Sequence, residues 1–398
     1  MIYLISDNPN HQRFTRLIRY FSFMNRIVLR FVLLLISLPL AFAANAQNQF
    51  SDWALGPFIR PENVNPIISP KAESVFFDPM SKQKIAWEAG DVFNPAAAVY
   101  KNKVYLLYRG EDRSGNGIGM RTSRIGIAES SNGITMKRNP EPVLYPDEDN
   151  QKAYEWPGGC EDPRIAVTAE GVYVMLYTQW NRNIFRLAVA TSKDLKYWTK
   201  HGPAFSSAYN GKFQNLKCKS GSIVTKVENG KQVIVKINGK YMMYWGERFM
   251  NIATSVDLIN WEPALNAKGD LDLIVKPRKK HFDSDLTECG PPAIVTDKGI
   301  LVLYNGKNRS DAERDTNYVA NTYSAGQVLF DLKHPSKVIA RLDQPFFVPT
   351  APFEKSGQYP SGTVFIEGLV YFKEKWFLYY GCADSKVAVA IYDPAAKK

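Results

Sequence analysis

Carboxylates are the side chains in this sequence best equipped for chemistry. Glu161 and Asp162 stand side by side in Gly158-Gly159-Cys160-Glu161-Asp162-Pro163-Arg164-Ile165, just before the apolar run Val172 to Tyr177. Glu247 follows Tyr244-Trp245-Gly246, and Glu288 precedes Cys289-Gly290-Pro291-Pro292. Acids beside a buried strand are costly unless used or paired. On the octapeptide alone, a turn in which Arg164 neutralises Asp162 or Glu161 stands level with a catalytic role. Taken as a set, these acids could divide the work of cleaving a glycosidic bond. One carboxyl would protonate the leaving oxygen while another activates water or attacks carbon.

No competing apparatus is visible. The four histidines (His11, His201, His281, His334) are scattered, and neither a Gly-x-Ser-x-Gly elbow nor a phosphate-binding glycine loop occurs. Cys160, Cys218, Cys289 and Cys382 lack C-x-x-C spacing and nearby paired histidines. A zinc site is therefore not expected, and no metal or organic cofactor is implied. Cys160, Cys289 and Cys382 each lie within two residues of a candidate acid and read as small buried fillers near one pocket.

The elements that must carry these acids are strands. After residue 50 there is hardly any sustained 3.6-residue periodicity, and short Val/Tyr/Leu/Ile runs recur between Gly, Asn, Asp and Pro, the pattern of an all-β chain. The runs are alike: Lys103 to Tyr108, Val172 to Tyr177, Lys240 to Tyr244, Ile300 to Tyr304 and Lys375 to Tyr380. Successive final tyrosines are 69, 67, 60 and 76 residues apart. A second element, a strand, an Asp/Asn turn and then an aromatic, follows at Ile127–Gly133, at Ala190–Leu195 with Trp198, and at Ala253–Leu258 with Trp261. Five such repeats predict a five-bladed β-propeller in which ligands bind at a central funnel. A double-sheet sandwich would not repeat a unit of this size. The polar residues after each terminal Tyr should then converge: Arg109, Glu111 and Asp112; Gln179 and Trp180; Glu247 and Arg248; Asn305 and Lys307; Asp384. Acids, amides, Arg and aromatics together suit a sugar.

Composition narrows the alternatives. The chain has 398 residues, 45% of them hydrophobic and 13% aromatic, ample for a core. Met24 to Ala46 read as a secretory signal, with Arg26 and Arg30 ahead of the apolar run Phe31 to Ala43 and a small-x-small site at Ala44-Asn45-Ala46. The run is too short to span a membrane. Met24 is therefore expected to be the true start, with residues 1–46 as prefix and signal, 47–398 as a single catalytic domain, and the product periplasmic or secreted. Residues 1–46 hold five Arg and one Asp, +4 of the net +11. The remaining charge is dispersed. The only compact basic run, Lys276, Arg278, Lys279 and Lys280, is followed by Asp283 and Asp285 and reads as a solvated loop, so neither nucleic acid nor a membrane is an expected partner.

Phe93-Asn94-Pro95-Ala96-Ala97, Leu107-Tyr108-Arg109-Gly110-Glu111-Asp112, Gly159-Cys160-Glu161-Asp162-Pro163-Arg164-Ile165, Ala188 to Trp198, Gly290-Pro291-Pro292 and Tyr380-Gly381-Cys382-Ala383-Asp384 resemble glycoside hydrolase family 130, the β-mannoside phosphorylases and their relatives. The resemblance runs from about residue 58 to the C-terminus, and the family's five-bladed propeller agrees with the repeat. It implies that Asp162 is the general acid, acting through the sugar's own 3-hydroxyl, and that Asn94, Arg109 and Asp384 hold mannose in the −1 subsite. With them Glu111, Asp112, Arg164, Gln179, Trp180 and Asn305 are the expected substrate-binding residues. Of the basic set with which family phosphorylases bind phosphate, Arg186 and Lys219 match two positions. Where a His-Arg-Pro is expected, this chain has Trp245-Gly246-Glu247, and Glu288 stands where phosphorylases keep a small or neutral residue. Two carboxylates there would repel a phosphate dianion. The pattern resembles the hydrolytic β-1,2-mannosidase branch, which implies an exported inverting β-mannosidase with Glu247 and Glu288 sharing the base role. A phosphorylase releasing mannose 1-phosphate, and a non-catalytic sugar-binding propeller, are the competing expectations.

Overall fold

The computed structural model describes residues 51–397. The signal segment, its cleavage site and the Met24 start lie outside the described residues. Residues 51–55 form a short turn closed by the Ala54 N–H on the Ser51 carbonyl, 2.9 Å. From Gly56 onward the chain forms one unit of strands, with helix confined to Lys152–Glu155 and to 3-10 turns at Pro352–Glu354 and Pro394–Lys397.

Apart from the hairpin of Val75–Asp78 with Gln83–Ala86 and the short strands Lys231–Ile234 and Lys236–Ile237, the strands fall into five successive antiparallel meanders. The first comprises Asp91–Tyr100, Lys103–Glu111, Ser123–Ser130 and Lys137–Arg138. Gly159–Val167, Tyr173–Trp180, Phe185–Ser192 and Thr199–Pro203 make the second. The third is built from Gly221–Glu228, Lys240–Trp245, Asn251–Ser255 and Glu262–Pro263. In the fourth, Leu286–Cys289 and Ala293–Val295 both pair with Ile300–Lys307, which continues to Tyr323–Phe330 and Val338–Arg341. Val364–Phe372, Lys375–Cys382 and Lys386–Tyr392 form the fifth. Each Tyr-terminated run is the second strand of its meander. Ile59 and Ile68 bridge to Ile391 and Val387, so the beginning of this unit flanks its last strand.

The strands read as continuous apolar runs because both faces are covered. Val104 and Leu106 of the first meander pack with Val370 and Val389 of the fifth. Leu107 and Ile125 meet Ile165 and Met175 of the second; Val174 and Leu187 meet Ile223 and Met243 of the third; Val224 and Met242 meet Val302 and Phe330 of the fourth. The fourth meets the fifth through the Asn305 amide, which donates to the Ile366 carbonyl (3.1 Å) and accepts from its N–H (2.8 Å). The core thus lies in layers between consecutive meanders.

The repeated tyrosines have a shared partner that the sequence reading did not supply. The hydroxyls of Tyr108, Tyr177, Tyr304 and Tyr380 donate to Glu88, Glu155, Asp283 and Glu354 at 2.6–2.8 Å. Each of these buried acids also meets a cation: Arg138, Lys200, Arg278 with Arg341, and Arg60 respectively. An aromatic precedes every one of the four acids, at Trp87, Tyr154, Phe282 and Phe353. In the third meander Tyr244 donates instead to the Pro335 carbonyl, 2.8 Å. The second repeated element is a side-chain turn: Ser192 Oγ accepts from Leu195 N and Ser255 Oγ from Leu258 N, both at 2.9 Å. Trp198 and Trp261 then donate back to the Leu195 and Leu258 carbonyls. The basic run is a solvated loop only in part: Lys279 is 80% exposed beside Glu313, but Arg278 turns in to the buried Asp283 as well as out to Asp343. Cys160, Cys218, Cys289 and Cys382 are buried free thiols.

Candidate active site

Two first strands carry site residues at irregular points. In Asp91–Tyr100 the pairing slips between Phe93 and Pro95, and in Gly159–Val167 between Glu161 and Arg164. Asn94 and Asp162, each preceding a proline, sit at these bulges with φ of 48°. Asn and Asp tolerate that left-handed conformation better than most residues, and a bulge re-aims its side chain. Here both point into one cavity of about 220 Å³. The Asn94 amide donates to Asp162 Oδ1, 2.9 Å.

Arg109 organises the acids on this side. Its Nη1 donates to Asp162 Oδ1 (3.0 Å), and its Nη2 to Glu111 Oε1 (2.6 Å) and Glu161 Oε1 (2.8 Å). Its Nε reaches Ser123 Oγ, and the guanidinium carbon lies 4.7 Å from the Phe93 ring centre. Neutralisation of the Glu161–Asp162 pair therefore comes from the neighbouring meander. Arg164 touches neither carboxylate; its Nη1 donates to the Asp162 backbone carbonyl, 3.1 Å.

Across the cavity, Lys219 Nζ lies 3.9 Å from Asp162 Oδ2, 3.7 Å from Glu288 Oε1 and 4.0 Å from Glu247 Oε1. No two of these oxygens can be more than about 8 Å apart, below the upper limit of about 9.5 Å for an inverting carboxyl pair. Glu288 is 2% exposed and accepts from Ser220 Oγ at 2.5 Å, whereas the Glu247 side chain is 38% exposed. One acid is thus fixed and the other reaches solvent.

The charges set the protonation pattern. Burial pushes Asp162 up, but Arg109, Lys219 and Arg164 with the Asn94 amide hold it well below the usual carboxylate range. For Glu161, burial and repulsion from Asp162 and Glu111 outweigh Arg109 and push the carboxyl up. Burial, with Asp162 and Glu111, pushes Asp384 up to about 7 against Arg109 and Lys219. Glu288 is raised by burial and by Glu247, against Lys219 and Arg164. Protons in the free site therefore reside around Asp162 before they reside on it.

Asn94, Arg109, Glu111, Asp162, Trp180, Lys219, Glu247, Glu288 and Asp384 line the cavity. Asp112, Arg164, Gln179, Arg186 and Asn305 stand behind its wall. Asp112 pairs with Arg124 (2.8 Å), Gln179 donates to Glu155 (3.0 Å), and Asn305 joins two meanders through Ile366. Arg186 is drawn off by Asn215 Oδ1 (2.7 Å), with its guanidinium over the Tyr154 ring. Sequence reasoning missed several lining residues, among them Tyr323, Gln358, Tyr359 and Phe365. They come from connecting loops and strand ends that carry no repeat signal.

Comparison with known proteins decides the family. A family model described as beta-1,4-mannooligosaccharide phosphorylase, that of glycoside hydrolase family 130, matches residues 64–395. The chain belongs to glycoside hydrolase family 130. A 1,2-beta-oligomannan phosphorylase from Thermoanaerobacter sp. (strain X514) is 32% identical to this family-130 chain over 333 residues, covering 82% of it and 95% of the relative. Among solved structures, a putative glycosidase from Bacteroides thetaiotaomicron VPI-5482 is 64% identical with a TM-score of 0.86, covering 87% of this chain and 99% of that one. Another, 63% identical with a TM-score of 0.86, covers 87% of this chain and 96% of its own. It is described as showing that this family of mannoside phosphorylases contains glycoside hydrolases that target beta-1,2 mannosidic linkages in Candida mannan. This family-130 chain is thus an all-β enzyme of a mannoside-active family, and a mannooligosaccharide fits it as substrate.

Proposed function

We propose that this protein is an inverting β-1,2-mannosidase that transfers the sugar to water, built as a five-bladed β-propeller. The observation that carries the hydrolytic reading is the charge of the cavity. Six carboxylates (Glu111, Glu161, Asp162, Glu247, Glu288, Asp384) line it against two cations, Arg109 and Lys219. Each like-charge pair at 4 Å costs about 4 kcal/mol at an effective dielectric of 20, which disfavours a phosphate dianion even where some acids are protonated. Arg186, the other residue matching the phosphorylase anion site, is not part of the cavity lining, and its Nη2 is turned to Asn215.

In this mechanism Asn94, Arg109 and Asp384 grip the −1 mannose and Asp162 supplies the proton through the 3-hydroxyl. Glu288, fixed by Ser220, and the more exposed Glu247 orient the attacking water between them. Both the solved relative described as showing that the family contains hydrolases of beta-1,2 mannosidic linkages and the Glu247–Glu288 pair favour this branch. The propeller supports itself on the closed succession of meander contacts and on the pairing of Ile59 and Ile68 with the last strand. Export through a cleaved signal ending at Ala46 completes the proposal, and N-terminal sequencing of the expressed protein tests it.

A phosphorylase is the second reading, favoured by the curated relatives and by retention of Lys219. Following the reaction by proton NMR separates mechanism from label: the hydrolase releases α-mannose as first product. β-Mannose as first product would overturn inversion, and mannose 1-phosphate would overturn hydrolysis.

A further inference from the structure

One deeply buried carboxyl near the site has no part in the mechanism above. Glu367 is the lone acid in Val364-Phe365-Ile366-Glu367-Gly368-Leu369-Val370 of the fifth meander and is fully buried. It occupies the bulge between Ile366 and Gly368, the place on its strand that Asn94 and Asp162 occupy on theirs. Asn94 and Asp162 face the cavity; Glu367 faces Arg164, with Oε1 3.0 Å from Nη2. Neither of its carboxyl oxygens accepts a hydrogen bond, and burial, with Asp162 and Glu288, pushes the carboxyl well above the usual range against the pull of Arg164, so the guanidinium rests against a polar group of fixed shape more than against a full charge. A carboxyl buried on those terms is costly and is not explained by packing.

Arg164 explains it. Its Nη1 donates to the Asp162 carbonyl, its Nε to the Gly290 carbonyl and its Nη2 to the Cys289 carbonyl, all at 3.1 Å. The same Nη2 lies 3.8 Å from Glu288 Oε1. A planar guanidinium with fixed donor directions therefore ties the backbone of the acid-bearing strand to the backbone beside the base. We propose that Glu367 is a positioning residue that anchors Arg164 in the orientation fixing the spacing between Asp162 and Glu288. Without this anchor, Arg164 turns toward Glu288, which draws the base out of line with the attacking atom.

The proposal rests on the hydrolase reading only for the identity of the acceptor. Its test compares Glu367→Leu, Glu367→Gln and wild type in the full chain on β-1,2-mannobiose, counting free mannose plus mannose 1-phosphate. Glu367→Leu is expected to lose about 30-fold in kcat with KM within about threefold, because alignment rather than binding is lost. Its Tm is expected not to fall, since the carboxyl it removes is buried without a hydrogen bond to either oxygen. Glu367→Gln, which keeps the shape and a carbonyl oxygen against Nη2 of Arg164 without needing a charge, is expected to recover most of the rate. Arg164→Lys keeps the charge without the fork and is expected to repeat the kcat loss, which keeps the test decisive if Glu367→Leu does not fold. A kcat within about threefold of wild type in Glu367→Leu or Arg164→Lys, or a loss in Glu367→Gln as deep as in Glu367→Leu, would overturn it. A wild type that makes mannose 1-phosphate would sink the hydrolase reading while the variant ratios still decide the role of Glu367.

Discussion

In the proposed mechanism Asp162 delivers a proton, yet Arg109, Lys219 and Arg164 hold it ionised in the free site, so the proton has to come from a neighbour. Glu161, held by Arg109, and Asp384 are both raised, and under the proposed mechanism they are the neighbours able to hold that proton. Asp162→Asn is expected to lower kcat by about 10²–10⁴-fold while sugar affinity, measured by calorimetry, persists. Asp384 gives a second test with a definite sign. Its folded pKa is about 7 against 3.8 unfolded, so the folded state holds a proton that the unfolded chain has released. Stability is therefore lost as pH rises from about 4 to 7, and Asp384→Asn is expected to raise Tm by roughly 2–4 °C at pH 8 and not at all near pH 4. A Tm gain that is equal at both pH values would contradict this. At this scale the three acids were legible because each stands beside a Gly, Pro or strand end that breaks an apolar run. The partner of Asp162 was not, since Arg109 reaches it from the neighbouring meander, and Glu367 was hidden because a lone acid in a strand looks like an outward-facing residue.

The strand units hold the site through a device repeated in four of the five meanders, a tyrosine hydroxyl on a buried, cation-paired acid. Removing one hydroxyl leaves a buried carboxylate short of a donor. Tyr304→Phe is accordingly expected to cost about 1–2 kcal/mol in denaturant unfolding with activity retained in the folded fraction. The ring itself needs a glycine opposite: a Cβ on Gly126 would come within 2.5 Å of Trp87 and 2.7 Å of Tyr108, and one on Gly326 within 2.4 Å of Tyr304. Gly126→Val is expected to destabilise by about 1–3 kcal/mol or more, through overpacking against rings that cannot withdraw. An unchanged midpoint in either variant would show that the ring layer is more plastic than its contacts imply. The terminal tyrosines were legible as a repeat because every meander reuses the same strand. Their acids were not, because Glu88 and Tyr108 belong to different elements and only the aromatic before each acid marks the pairing in sequence.

Across the whole unit from Gly56, each meander packs on the next, and the segment around Ile59 and Ile68 covers the edge of Lys386–Tyr392. An uncovered edge strand invites pairing with another chain. Deleting residues 56–69 is therefore expected to lower Tm and to promote aggregation, read by light scattering during thermal unfolding. The all-β character and the repeat were legible from composition and spacing alone. The way the first residues return to the last strand was not, because pairing across more than 300 residues leaves no local mark. The central claim is that an anionic cavity hands mannose to water. The most direct test is incubation with β-1,2-mannobiose with and without inorganic phosphate, following free mannose and mannose 1-phosphate. Equal release of mannose in both, with no sugar phosphate, is the predicted result; mannose 1-phosphate formed only when phosphate is present would contradict it.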